Sequence, residues 1–141
     1  IEEWGYKFHM NDVCATVGIE NLKHADDIIS KHRENAAYYD EHLQNIDKVT
    51  LLKREEGFDS AFWIYSLKVE DRDKFYKHMD KCGIAVSQVH ERNDKHTCVR
   101  EFQTNLPSLD ATIDKIVSIP VGWWLTPEER EYIVECIKKG W

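Results

Sequence analysis

The densest set of side chains able to bind a polar ligand or move a proton lies between His90 and Asn105, where His90, Arg92, Asn93 and His96 fall within one short run. Hydrophobic periodicity vanishes across this stretch, so it reads as a working loop or a mobile excursion between packed elements. His90, His96 and Cys98 could ligate zinc, but their spacing matches no recognised metal pattern and no second ligand pair follows. Cys98 beside a histidine would make a nucleophilic pair only with an orienting third group and an oxyanion donor, and the sequence supplies neither. The other basic cluster opens the chain, where Tyr6, Lys7 and His9 precede a helix start. By residue type alone, Lys7 reads as a solvated lysine and His9 as a helix-start histidine.

Those residues need elements to place them. Leu22, Ala25, Ile29, His32, Ala36, Tyr39 and Leu43, with Ile28 beside them, recur every three or four residues. That spacing predicts a long amphipathic helix continuing to about Ile46. Met10, Val13 and Val17 form a shorter stripe ahead of it, capped by Asn11 or Asp12, and a kink is expected at Gly18 or Glu20-Asn21. A helix of this length reads as a spine joining one body to another.

After a β-prone run, Val49 to Leu52, and a charged turn, the clearest strand is Ala61 to Val69. Trp63, Tyr65, Leu67 and Val69 are expected on one face, with Phe62 and Ile64 burying the start of the other. Asp71 caps a helix bearing Phe75, Met79 and Cys82 that ends at Gly83, and Ile84 to Val89 is the next predicted strand. Beyond the polar loop, Ser108 caps a short helix (Leu109, Ile113, Ile116), and Val117 to Val121 is a strand ended by Pro120. Thr126-Pro127-Glu128-Glu129 is a helix start with three agreeing signals, and that helix buries Ile133, Val134 and Ile137 before stopping at Gly140. Most of Trp63, Trp123, Trp124 and Trp141 are expected to pack the core. The fold class is α+β, with a small sheet of three or four strands and helices on one side.

The chain has 141 residues and a formal charge of −7, enough for one ordinary core and without the basic face a nucleic-acid binder needs. No signal peptide or membrane span is visible. Four scattered cysteines without a CxxC pair suggest reduced, buried thiols and a cytoplasmic location. A first residue other than Met that runs straight into a motif suggests the rear part of a longer protein.

The opening run Gly5-Tyr6-Lys7-Phe8-His9-Met10-Asn11-Asp12-Val13-Cys14-Ala15 resembles the GYxxxMxDxxAA motif of the DegT-type (DegT/DnrJ) nucleotide-sugar aminotransferases. Gly18 to Leu22, the spine, Phe62 to Val69, Gly83-Ile84, Ile119-Pro120 and Leu125 to Glu129 follow in that family's order. The resemblance therefore covers essentially the whole chain. It implies pyridoxal phosphate as cofactor and the C-terminal small domain of the aspartate-aminotransferase fold (type I). Residues 1–20 would be an interface motif at the end of the large domain, 21–46 the connecting spine and 47–141 the small α/β domain.

In such enzymes the lysine that carries the cofactor lies in the upstream domain, so no catalytic residue is expected in this stretch, which alone should be inactive. The resemblance assigns Tyr6, Lys7 and His9 to the phosphate end of a dimer partner's cofactor. An anion with nearly two negative charges favours cations and donors there. The family often has Asn or Arg at one of these positions, where this chain has Lys7 and His9. It assigns His90, Arg92, Asn93 and His96 to a nucleotide-sugar substrate, whose diphosphate and hydroxyls suit such groups, although the family's proline-rich version of the loop is absent.

The implied activity is transfer of an amino group from an amino acid such as glutamate to a keto-deoxy sugar linked to a nucleotide. It belongs to sugar, O-antigen or cell-surface polysaccharide biosynthesis in a homodimer with shared active sites. Two alternatives stay open: a sugar dehydratase of the same family, and a non-catalytic dimerisation or interaction module.

Overall fold

The computed structural model describes residues 1–3, 5–6 and 10–141. Three antiparallel strands, β1 (Val49–Leu51), β2 (Tyr65–Val69) and β3 (Ile116–Ile119), form a sheet in the order β1-β2-β3. Leu67 lies between Leu51 and Val117, and Tyr65 pairs with Ile119. Successive side chains alternate between faces, so Tyr65, Leu67, Val69, Val117 and Ile119 point into one core and all are buried.

Three helices close that core. Helix α2 (Ala25–Leu43) contributes Ala36, Tyr39 and Leu43, α3 (Arg72–Lys81) contributes Phe75 and Met79, and the C-terminal helix, Pro127–Lys138, contributes Ile133, Val134, Cys136 and Ile137. The apolar stripe read from the sequence is thus the buried face of α2. The expected single spine is two helices, with α1 (Asp12–Leu22) separated from α2 by Lys23 and His24. The break falls after Leu22, not at Gly18, which lies inside α1. Asn11 caps α1 by accepting from the Cys14 N–H at 2.9 Å, and no residue of α1 is buried.

Asp71 caps α3 and Gly83 follows it at φ +72°, as expected. The final helix starts with a reciprocal box: Glu129 N–H donates to Thr126 Oγ1 at 3.2 Å and Thr126 N–H to Glu129 Oε2 at 2.9 Å. The short helix α4 (Pro107–Asp110) is capped at Leu106, not Ser108, and Ile116 opens β3 instead of ending that helix. With α4 so numbered, the C-terminal helix is α5.

Two strand expectations are corrected. The segment Ile84 to Val89 is no strand; it touches β3 through a single bridge, Ser87 to Ser118, with bonds of 3.0 and 2.7 Å. The next pairing in one direction would need an N–H from Pro120, which has none. In the other direction His90 takes φ +70° and turns the chain away. The predicted strand from Ala61 begins only at Tyr65, because Phe62 sits at φ +48° and resets the alternation.

Trp63 is therefore 68% exposed instead of buried, and Trp123 and Trp124 are exposed as well. Trp141 does pack, edge-on to Phe75 with centroids 4.8 Å apart. All four cysteines are free, but Cys14 is exposed and only Cys136 is fully buried. Among the described residues no helix is long and apolar enough to cross a membrane.

Candidate functional site

The sheet face turned away from α2, α3 and α5 carries two neighbouring recesses. The larger, about 480 Å³, lies under the loop that follows Val89. Its floor is Ile64, Ser66 and Ile116, its apolar wall is Leu52, Leu106, Leu109 and Ile113, and its rim is His90 to Asp94. Short 3-10 turns at Asn93–Lys95 and Thr97–Phe102 shape the loop.

Of the four candidate substrate residues, His90, Arg92 and Asn93 come together on this rim, and His96 does not. His96 is half-buried with Nδ1 3.4 Å from Ile1 N. His90 is exposed, its ring 6.0 Å from that of Trp63. Arg92 grips Asp94 with two bonds, Nε to Oδ1 at 2.8 Å and Nη2 to Oδ2 at 2.7 Å, and also donates to Asp110. Its positive charge is thus matched inside the loop. The guanidinium holds the Asp94 carboxyl below its usual range, and the hydrogen bonds it donates to Asp94 and then Asp110 raise Arg92 itself. Arg92 ties the first 3-10 turn to α4 and so fixes the mouth of the recess.

The smaller recess, about 240 Å³, lies between Trp63 and Trp124, with Ser87, Ser118 and Gly122 among its lining. Ser66 Oγ and Ser118 Oγ are 2.9 Å apart, so the floors of the two recesses are joined by one hydroxyl pair. The turn below Trp124 is fastened to α2: Asn35 Nδ2 donates to the Val121 and Gly122 carbonyls at 3.1 and 3.0 Å, and Tyr39 Oη to the Pro120 carbonyl at 2.8 Å. Arg130 Nη1 donates to Asn35 Oδ1 at 3.1 Å, and its guanidinium lies 4.3 Å from the Tyr38 ring centroid.

The profile of the DegT/DnrJ/EryC1/StrS aminotransferase family matches residues 1–138. The chain belongs to that family. Two solved structures share its fold closely: CalS13 from Micromonospora echinospora, a sugar aminotransferase, is 47% identical over 99% of this chain, with a TM-score of 0.90. AtS13 from Actinomadura melliaura is 45% identical over 99%, with a TM-score of 0.89. GDP-perosamine synthase from Escherichia coli O157:H7 is 30% identical over 78 residues, 53% of this chain and 21% of its own length. This chain spans 38% of CalS13 and 37% of AtS13.

The donor set bears on the cofactor that the family resemblance implies. A lysine carrying pyridoxal phosphate needs a desolvated, positioned amine. Among the described lysines, Lys23, Lys31, Lys74 and Lys138 form surface ion pairs, and none lines either recess. Tyr6 is exposed ahead of α1, while Lys7 and His9 lie outside the described residues. Among the described residues no group of three His, Cys, Asp or Glu side chains could hold a metal.

The sequence reading missed Trp63, Trp124, Asp94 and Asp110 as parts of this face. One signal was available. Gly122-Trp123-Trp124 sits between a proline-ended strand and a helix cap, a turn position with no inward face to fill.

Proposed function

We propose that the whole protein is a pyridoxal-phosphate-dependent aminotransferase acting on a nucleotide-linked keto-deoxy sugar, and that this chain is the C-terminal part of its subunit. The observation carrying the proposal is the 47% identity to the sugar aminotransferase CalS13 over 99% of the chain. The 30% identity over 78 residues to GDP-perosamine synthase supports a sugar carried on a nucleotide. We assign the chain to the small domain of the aspartate-aminotransferase fold, with residues 1–20 as interface motif, 21–46 as spine and 47–141 as the α/β body. The protein works as a cytoplasmic homodimer with glutamate as amino donor.

When bound, the cofactor supplies the electron sink for moving the amino group. This chain's residues bind and position. Tyr6, Lys7 and His9 provide donors and positive charge to the cofactor phosphate in the partner's half-site, where binding energy fixes the ring. His90 and Asn93 offer hydrogen bonds to the nucleotide sugar, and Arg92, held by Asp94 and Asp110, keeps the loop mouth in shape beside it.

The test is cofactor retention in the full-length protein. Replacing Lys7 and His9 together with Ala should release pyridoxal phosphate on gel filtration, seen as lost visible absorbance. Unchanged retention would remove the phosphate assignment.

A further inference from the structure

The recess between Trp63 and Trp124 has features that a casually exposed pair of tryptophans lacks. Both residues are more than half exposed, at 68% and 63%, yet Trp124 is held in place and the backbone just ahead of Trp63 is tied down. A Cβ on Gly122 would collide with the Trp124 ring, so the indole lies directly on the glycine backbone. Trp123 meets Trp124 edge-on at 6.2 Å, and His32 does so from behind at 6.4 Å and 88°. His32 is itself buried, and its Nδ1 lies 2.7 Å from the carbonyl of Phe62, the residue before Trp63. One buried side chain thus meets Trp124 directly and anchors the backbone one residue ahead of Trp63. On the open side Trp63 faces the His90 ring.

Holding large aromatic faces to solvent leaves their apolar area unused by the core, which is costly unless something else covers it. The space between them is about 240 Å³, below the roughly 300–1,000 Å³ of pockets that enclose drug-sized ligands. It has room for one ring, not a whole nucleotide sugar. Its walls are aromatic, and Ser87 and Ser118 put hydroxyls at the floor. A six-membered ring with an apolar face and a polar edge fits that chemistry, whether it is a pyranose or a nucleobase.

We infer that Trp63 and Trp124 form a ring-stacking subsite beside the His90 loop, holding one ring of the nucleotide-sugar ligand. The inference rests on the proposed function and extends it to a named pair of side chains. Stacking is tolerant of ring identity, so the subsite contributes affinity, with the hydrogen-bonding loop next to it contributing selectivity.

The experiment is isothermal titration of the full-length protein with UDP-glucose, dTDP-glucose and GDP-mannose. The tightest probe is then compared across Trp63→Ala, Trp124→Ala, both Phe variants and Asn93→Ala. Each Trp→Ala change should weaken binding about tenfold, as expected for losing one stacked ring, and each Phe variant should recover most of it. Repeating the titration with the nucleoside diphosphate alone and with the methyl glycoside of the sugar tells base from pyranose. Loss of affinity on the diphosphate places the base between the rings, and loss confined to the sugar-bearing probe places the pyranose there. Unchanged affinity in both Ala variants, with Asn93→Ala still impaired, would overturn the stacking subsite while leaving the proposed function intact. Unchanged affinity together with a lower melting temperature would place the two rings against the protein's own polypeptide and also overturn it. No binding of any probe by the wild-type protein would sink the proposed function and the subsite with it.

Discussion

Asn35 fastens the turn that leads into Trp124, and its removal gives a worked prediction. It is 3% exposed in the middle of α2, and its amide makes three bonds: to the Val121 carbonyl, to the Gly122 carbonyl and from Arg130. Val121 and Gly122 are themselves buried. Asn35→Ala leaves two carbonyls and one guanidinium N–H without this partner. A typical hydrogen bond contributes about 1 kcal/mol net, and each buried group left unsatisfied costs about 1–3 kcal/mol. Arg130 keeps its contact with Glu34 at 3.2 Å, and water can reach part of the opened space, so the loss should fall near 2–4 kcal/mol. Among the described residues Arg130 Nε is already buried without a partner, so they offer this corner no spare acceptor. The assay is urea unfolding followed by tryptophan fluorescence, with the midpoint lowered and the slope unchanged. Asn35→Asp should also destabilise, because a carboxylate cannot donate to the two carbonyls. A loss below about 0.5 kcal/mol for Asn35→Ala, typical of an ordinary surface substitution, would refute the reasoning.

Gly122→Ala should displace the Trp124 indole, shifting tryptophan emission and weakening nucleotide-sugar binding while the Tyr39 and Asn35 contacts persist. Thr126→Ala breaks the box at the start of α5 and should cost about 1 kcal/mol in denaturant titration. Burial, and for Tyr65 the hydrogen bond to Asp40 at 2.6 Å, push the Tyr39 and Tyr65 phenols well above their ordinary value of 10.0. The folded protein then keeps protons that the unfolded chain releases, so these groups support the fold fully below pH 10 and progressively less above it. Stability measured from pH 9 to 12 should fall, and the Tyr39→Phe, Tyr65→Phe double variant should show a shallower decline.

Much of the scaffold was legible because the determining interactions are local. The α2 stripe, the Thr126-Glu129 box and Gly83 after α3 each rest on spacing within a few residues. What failed depends on single backbone angles or on the partner across the sheet. Period-2 alternation assigned Trp63 to the core, and nothing local announces the positive φ at Phe62 that resets it. The run Ile84 to Val89 has strand composition, yet the missing N–H of Pro120, more than thirty residues away in sequence, limits it to one bridge. For the candidate site, residue type located the loop of His90, Arg92 and Asn93. That Arg92 is matched by Asp94 and Asp110 could not be read, because Asp110 reaches it only through the fold.

The most direct measurement is turnover by the full-length protein, supplied with pyridoxal phosphate, glutamate and a nucleotide-linked 4-keto-6-deoxy sugar, followed by mass spectrometry. The expected result is an amino-sugar nucleotide formed in equal amount with 2-oxoglutarate. A product that has lost water without gaining nitrogen, or no product from any nucleotide-linked keto sugar, would contradict it.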